Sequence, residues 1–134
     1  MEIRSRRTVE PVGMHQAVKV FTLVPKFSML EETKGSYLEL IDDFEVAAGE
    51  VCEAHYHNTH EYYFILEGDA VVQIENEAKR VHPGDLIHIP PNKVHSIWPE
   101  GDKGVRALAV AVGWQEPKGE GHIPHPLARV PITD

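Results

Sequence analysis

The residues best suited to chemistry lie in two short segments. The stretch Gly49–Gly68, GEVCEAHYHNTHEYYFILEG, carries His55 and His57 one residue apart and then Glu61. In an extended backbone, side chains at i and i+2 share a face, so these imidazoles stand side by side, roughly 7 Å apart along the chain. Two neutral imidazoles with a carboxylate nearby suit a first-row divalent metal. A second segment, Gly84–His95 (GDLIHIPPNKVH), supplies a third imidazole in His95. Three nitrogens and one carboxylate oxygen leave two adjacent positions open on an octahedral ion, for a substrate oxygen or dioxygen. Fe, Mn, Ni, Co and Zn all suit such a set.

Strands are needed to hold these groups. Ten Gly and ten Pro in 134 residues fit one turn-rich β domain. Met1–Gln16 mixes charge, Pro11 and Gly13 and is expected to be an irregular arm. Ala17–Leu23 reads as a first strand, and Lys26–Glu32 as either a helical turn or a loop. In Ser36–Val46, Leu38, Leu40, Phe44 and Val46 share one parity while Glu39, Asp43 and Glu45 share the other; Asp42 interrupts the apolar face. Turns follow at Ala47–Glu50 and Asn58-Thr59. Glu61–Glu67 is the most β-prone run, with two Tyr, one Phe and one Ile. Ala70–Glu75 and Ala78–Val81 predict a hairpin about Asn76-Glu77, and Pro83-Gly84-Asp85 a turn. Leu86–Ile89, Val94–Trp98 and Val105–Val112 complete the strands, the last expected to be buried on both faces. Trp114–Asp134, with four Pro, is expected to lie extended on the barrel or cross to a partner. About eight short strands with turn residues between them predict an all-β sandwich or barrel with jelly-roll closure.

The spacing Gly49, five residues, His55, one, His57, three, Glu61, six, Gly68 resembles the first motif of the cupin superfamily without departure. The second motif matches at Gly84, Pro90 and His95, with Asn92 where Gly is usual and Pro99 where Asn is usual. Asn tolerates the left-handed backbone that Gly normally supplies, so the turn survives. Fifteen residues separate Gly68 from Gly84, as in small single-domain microbial cupins. The resemblance implies a double-stranded β-helix barrel with His55, His57, Glu61 and His95 as metal ligands. It covers roughly residues 37–112 of a single domain spanning 1–134, with an arm (1–16) and a tail (114–134) outside it. It does not choose among oxygenases, lyases, isomerases, storage proteins and effector-binding domains.

Tyr63 shares parity with Glu61 and is a candidate catalytic proton donor or substrate contact, against simple core packing. His60 and His88 are expected to face away from the barrel. His15, His82, His122 and His125 have no partner pattern and are expected to be exposed. Cys52 is expected to be a buried apolar group; as the only cysteine it cannot form an intrachain disulfide. Tyr56, Tyr62, Phe64 and Trp98 are expected to pack or to form part of a dimer face.

A formal charge of −8 argues against nonspecific binding to nucleic acid. The longest uncharged apolar run, Ala107–Val112, is too short to cross a bilayer, and no targeting segment is evident, so a cytoplasmic location is expected. The function expected is a metal-dependent enzyme, of oxygenase, lyase or isomerase type, acting on a small polar organic substrate. The alternative is a noncatalytic small-molecule-binding or sensor module. Either is expected to be a homodimer, because the apolar and aromatic strands exceed what one small barrel buries.

Overall fold

Strict alternation builds the strands that wall the site. The computed structural model describes residues 5–15, 17–24, 37–113 and 122–134. The described residues form twelve strands: β1 (Val12–His15), β2 (Val18–Val24), β3 (Tyr37–Val46), β4 (His55–Tyr56), β5 (His60–Glu67), β6 (Ala70–Ile74), β7 (Glu77–Val81), β8 (Leu86–Ile89), β9 (His95–Pro99), β10 (Val105–Gly113), β11 (Ile123–Pro124) and β12 (Ile132–Thr133). They make two six-stranded sheets, ordered β1-β2-β3-β10-β5-β8 and β11-β4-β9-β6-β7-β12. All pairings are antiparallel except β7 with β12. This is the all-β jelly roll expected from the strand spacing. Among the described residues no helix is long and apolar enough to cross a membrane.

Val18, Val20, Phe44, Val46, Ile65 and Ala107 of the first sheet pack with Ala70, Val72, Val81 and Ile97 of the second in one core. The outer face of the first sheet is tied across three strands by Arg106. Its Nε and Nη2 donate to the two Asp43 oxygens at 2.9 and 2.8 Å, and its Nη1 donates to Glu67 Oε1 at 3.0 Å. Paired donors on one carboxylate fix geometry as well as adding attraction.

Three expectations are corrected and a fourth, the tail lying on the barrel, is filled out. Part of the arm is a strand: β1 pairs with β2 through a register shift between Gly13 and His15 that local alternation does not reveal. The hairpin turns one residue earlier, at Glu75-Asn76, with Glu75 at φ 52°. Long-range bonds explain the shift. The Glu75 N–H donates to Val94 O at 2.9 Å, and Glu75 Oε1 accepts from the Val94 N–H at 2.9 Å. Strand β10 is not buried on both faces. Val105, Ala107, Ala109 and Ala111 are buried, Leu108 and Val110 are half-buried, and Val112 is exposed, because nothing among the described residues covers that side. The tail does not run only as an extended overlay. Its described part adds β11 beside β4 and β12 beside β7, and Gln73 Nε2 donates to Ala128 O at 2.7 Å. Lys26–Glu32 lies outside the described residues.

Two of the turns show what a left-handed backbone demands. Gly68 has φ 81°, and a Cβ there would lie 2.2 Å from Gly104 O. Asn92 has φ 62°, the left-handed conformation expected where it replaces glycine. Gly68→Ala should therefore destabilise the fold by about 2–4 kcal/mol in equilibrium urea unfolding. Asn92→Gly should change stability by no more than about 0.5 kcal/mol, whereas Asn92→Val should cost about 1–2 kcal/mol. Equal effects of the two Asn92 substitutions would contradict the backbone argument.

Candidate metal centre

Strand pairing brings the two sequence segments together. His55 of β4 is the register partner of His95 of β9. The bend at Asn58-Thr59 then turns the chain into β5, which carries Glu61 across from Ile89 of β8 and Ala111 of β10. The loop before His95 is anchored to the first segment by the Asn92 N–H, which donates to His57 O at 2.7 Å. One ligand atom from each of His55, His57, Glu61 and His95 lies within 4.8 Å of all the others. All four residues are buried, His95 completely.

Backbone carbonyls aim the imidazoles. His55 Nδ1 donates to Glu53 O and His95 Nδ1 to Lys93 O, each at 2.8 Å. A carbonyl only accepts, so both rings carry the proton on Nδ1 and turn Nε2 toward the other donors. His57 differs: its Nδ1 lies 3.1 Å from Thr59 Oγ1, and its Nε2 donates to Glu61 Oε2 at 2.7 Å.

The electrostatics fit a cation. Burial, followed by the charge of His95, lowers the His55 pKa to about 3, so this ring is a neutral ligand at neutral pH. Burial opposes charge on His57, but the hydrogen bond and charge of Glu61, helped by Glu39, raise its pKa overall. Burial would also raise Glu61; the hydrogen bond and charge of His57, with His95 nearby, outweigh it and hold the carboxyl well below its usual range. His95 Nε2 is buried without a hydrogen-bond partner and lies 3.3 Å from Glu61 Oε2. With Nδ1 carrying the proton, a lone pair faces a carboxylate oxygen. A proton or a metal ion between them relieves that opposition, so the donor set suits a divalent transition metal.

A cavity of about 90 Å³ adjoins this cluster. At 10–15 Å³ per water on the same measure, it holds several waters or a small ring. Val18, Val20, Leu40, Phe44 and Ala109 form its apolar wall; Asp42, Cys52, Tyr63 and His122 complete it with His55, His57 and Glu61. Tyr63 is buried as its parity predicted. Its ring centroid lies 5.0 Å from that of Phe44. Burial and then the Glu61 charge push its phenol pKa well up, so it remains a protonated donor. Burial, followed by the charges of Glu61 and Glu53, pushes the Cys52 thiol up to about 12, in keeping with its buried, unreactive reading.

His60 and His88 lie outside the barrel as expected, His60 Nδ1 and His88 Nε2 2.8 Å apart with His88 stacked on Tyr62. His82 and His125 are exposed, also as expected; the side chain of His15 is outside the described residues. The exposed reading of His122 is corrected. It is half-buried and its ring stacks on His55 with centroids 4.0 Å apart. The cause is the pairing of β11 with β4, a contact between residues far apart in sequence. Sequence reasoning also missed Asp42, which faces the cavity. Its signal was present, since a carboxylate among Leu40 and Phe44 on one strand face must either be buried at a cost or serve a ligand.

The solved structures most like this fold include the polyketide cyclase RemF from Streptomyces resistomycificus, at TM-score 0.71 and 19% identity over 96% of this chain and 87% of that one. A predicted oxalate decarboxylase from Thermotoga maritima gives TM-score 0.70 and 22% identity over 84% of this chain and 98% of that one. At these identities the likeness concerns the fold alone. Among characterised sequences, a 5-nitrosalicylic acid 1,2-dioxygenase from Bradyrhizobium is 31% identical over 87 residues, 58% of this chain and 42% of that protein. Quercetin 2,3-dioxygenase from Bacillus subtilis is 40% identical over 43 residues, 31% of this chain and 13% of that protein. The chain thus spans less than half the length of either dioxygenase. The family model for the cupin domain matches residues 43–111, the span that holds both sheets' central strands and all four clustered donors, and the chain therefore belongs to the cupin family.

Proposed function

We propose that this cupin is a metal-dependent enzyme of the dioxygenase type acting on a small organic molecule. His55, His57, Glu61 and His95 hold the ion. The observation that carries the reading is the convergence of four buried donors within 4.8 Å, three of which (His55, His57 and Glu61) line a ring-sized cavity. Two relatives named as dioxygenases support the reaction class. The bound metal supplies a Lewis-acidic, redox-capable centre beside the cavity. The chain's own groups do the rest. Tyr63, held protonated beside Glu61, donates a hydrogen bond to the substrate. The apolar wall of Val18, Val20, Leu40 and Phe44 excludes water and receives the substrate's body. That same apolar wall also favours the second reading, a binding module that only anchors its ligand; oxygen consumption separates the two.

The partner we propose is a second copy of this chain. The tail covers the outside of the second sheet, where Arg129 lies 3.4 Å over the Trp98 ring. On the outside of the first sheet, cross-strand registers align Leu108, Phe64 and Leu86 in one row and Val110, Tyr62 and His88 in the next. Phe64 is 40% exposed and Leu86 63%, an apolar surface that association would bury.

Chelator-treated protein titrated with Fe(II), Mn(II), Ni(II), Co(II) and Zn(II) should take up one ion per chain by elemental analysis. His95→Ala should weaken uptake by about 100-fold or more, and Thr59→Val by about 10-fold through loss of the His57 partner. Full metal content in His95→Ala would sink the assignment. Tyr63→Phe should keep its metal but lose about 10²–10⁴-fold in kcat for substrate-dependent oxygen uptake. Light scattering should give a dimer at micromolar concentration that Leu86→Asp converts to a folded monomer; a monomeric parent protein would refute the interface.

A further inference from the structure

Asp42 is the one acidic group of the cavity that the clustered donors leave unused. It projects from the inner face of β3 with Leu40 and Phe44, across from Thr22 of β2 and Ala109 of β10. It is 9% exposed. Thr22 hydrogen-bonds the carboxyl, yet Oδ1 is buried and has no hydrogen-bond partner among the described residues. No lysine or arginine lines the cavity among the described residues. An acceptor left open in an apolar wall calls for a donor from whatever fills the space. The small Ala109 side chain opposite keeps the approach to Asp42 open, and the tilted Phe44 and Tyr63 rings flank it.

We infer that Asp42 is a specificity-determining residue whose Oδ1 accepts a hydrogen bond from a hydroxyl group on an otherwise apolar, ring-sized substrate. The inference rests on reading the cavity as the substrate site. It names the substrate class: hydroxylated aromatic or enolic compounds, oriented with the hydroxyl on β3 and the opposite edge toward His55, His57 and Glu61. A carboxylate substrate is disfavoured on the β3 side, because two like charges would meet in an apolar wall. Burial, opposed by the Thr22 hydrogen bond and aided by the charge of Glu61, pushes the Asp42 carboxyl up to about 6. It is therefore mostly ionised, and an acceptor, at neutral pH.

The test compares phenol with anisole, its methyl ether, which has the same ring and no hydroxyl proton. Binding is measured by calorimetry at neutral pH to metal-free and to Zn(II)-loaded protein, with metal content determined for every sample. Wild-type protein should bind phenol about tenfold more tightly than anisole in both forms, as expected for one hydrogen bond to a charged acceptor. Asp42→Leu should bind the two equally while taking up the same Zn(II). Asp42→Asn, of nearly the same volume, should keep only about threefold of the preference, since a neutral amide is the weaker acceptor. Should Asp42→Leu fail to fold, the carbon-13 carboxyl signal of Asp42 in wild-type protein decides: it should shift with phenol and not with anisole. Failure of wild-type protein to bind phenol, equal binding of both probes, or an undiminished preference in Asp42→Leu would each overturn the assignment. An Asp42-dependent preference in a chain that takes up no metal would leave it standing and overturn the metalloenzyme reading instead.

Discussion

A carboxylate buried among three imidazoles is the constraint on which this structure turns. Moving an ion such as Glu61 out of water costs several kcal/mol unless charge and hydrogen bonds compensate. Part of the compensation comes from His57, which donates to Glu61 within the first segment; the rest needs a proton or cation between Glu61 and His95 of the second. Any arrangement that separates β4 from β9 removes the His95 side of that cluster. The barrel must therefore bring the two segments into register and keep them there. The His55–His95 pairing does so at the site itself.

Two of the three imidazoles are aimed by backbone rather than by neighbouring side chains. Glu53 O serves His55, and Lys93 O serves His95, so in both cases the acceptor is the carbonyl two residues earlier. Such an acceptor survives changes of side chain at 53 and 93, but not changes of backbone path. That path depends on Asn92 in its left-handed conformation and on Glu75, whose main chain and carboxylate both grip Val94. The turn of a surface hairpin thus helps to orient a buried ligand.

The two outer faces of the barrel differ, and the tail makes them differ. Where it lies over the second sheet, Val71 and Gln73 are buried although they point away from the main core. Among the described residues the first sheet receives no such cover on its β5 and β8 side, where Phe64 and Leu86 are exposed. The tail also brings His122 against His55, so one segment both shields a sheet and closes a side of the site.

Much of this molecule was legible in one dimension because β-structure has a period of two and turns have their own residues. Parity placed Tyr63 and Glu61 inside and His60 and His88 outside. The substitution of Asn for Gly at residue 92 was readable as a conserved backbone shape, since few other side chains accept a positive φ. The spacing of His55, His57, Glu61 and His95 identified the residues that cluster. What only the tertiary structure decided are matters of contact between distant segments. The turn at Glu75-Asn76 is pulled one residue forward by Val94, and β1 exists because β2 offers an edge. His122 enters the site because β11 pairs with β4, and Asp42 becomes an open acceptor rather than a flaw in a strand because the barrel places a cavity in front of it. Local sequence carries periodicity and turn chemistry; which surface a residue meets is settled only when the sheets close.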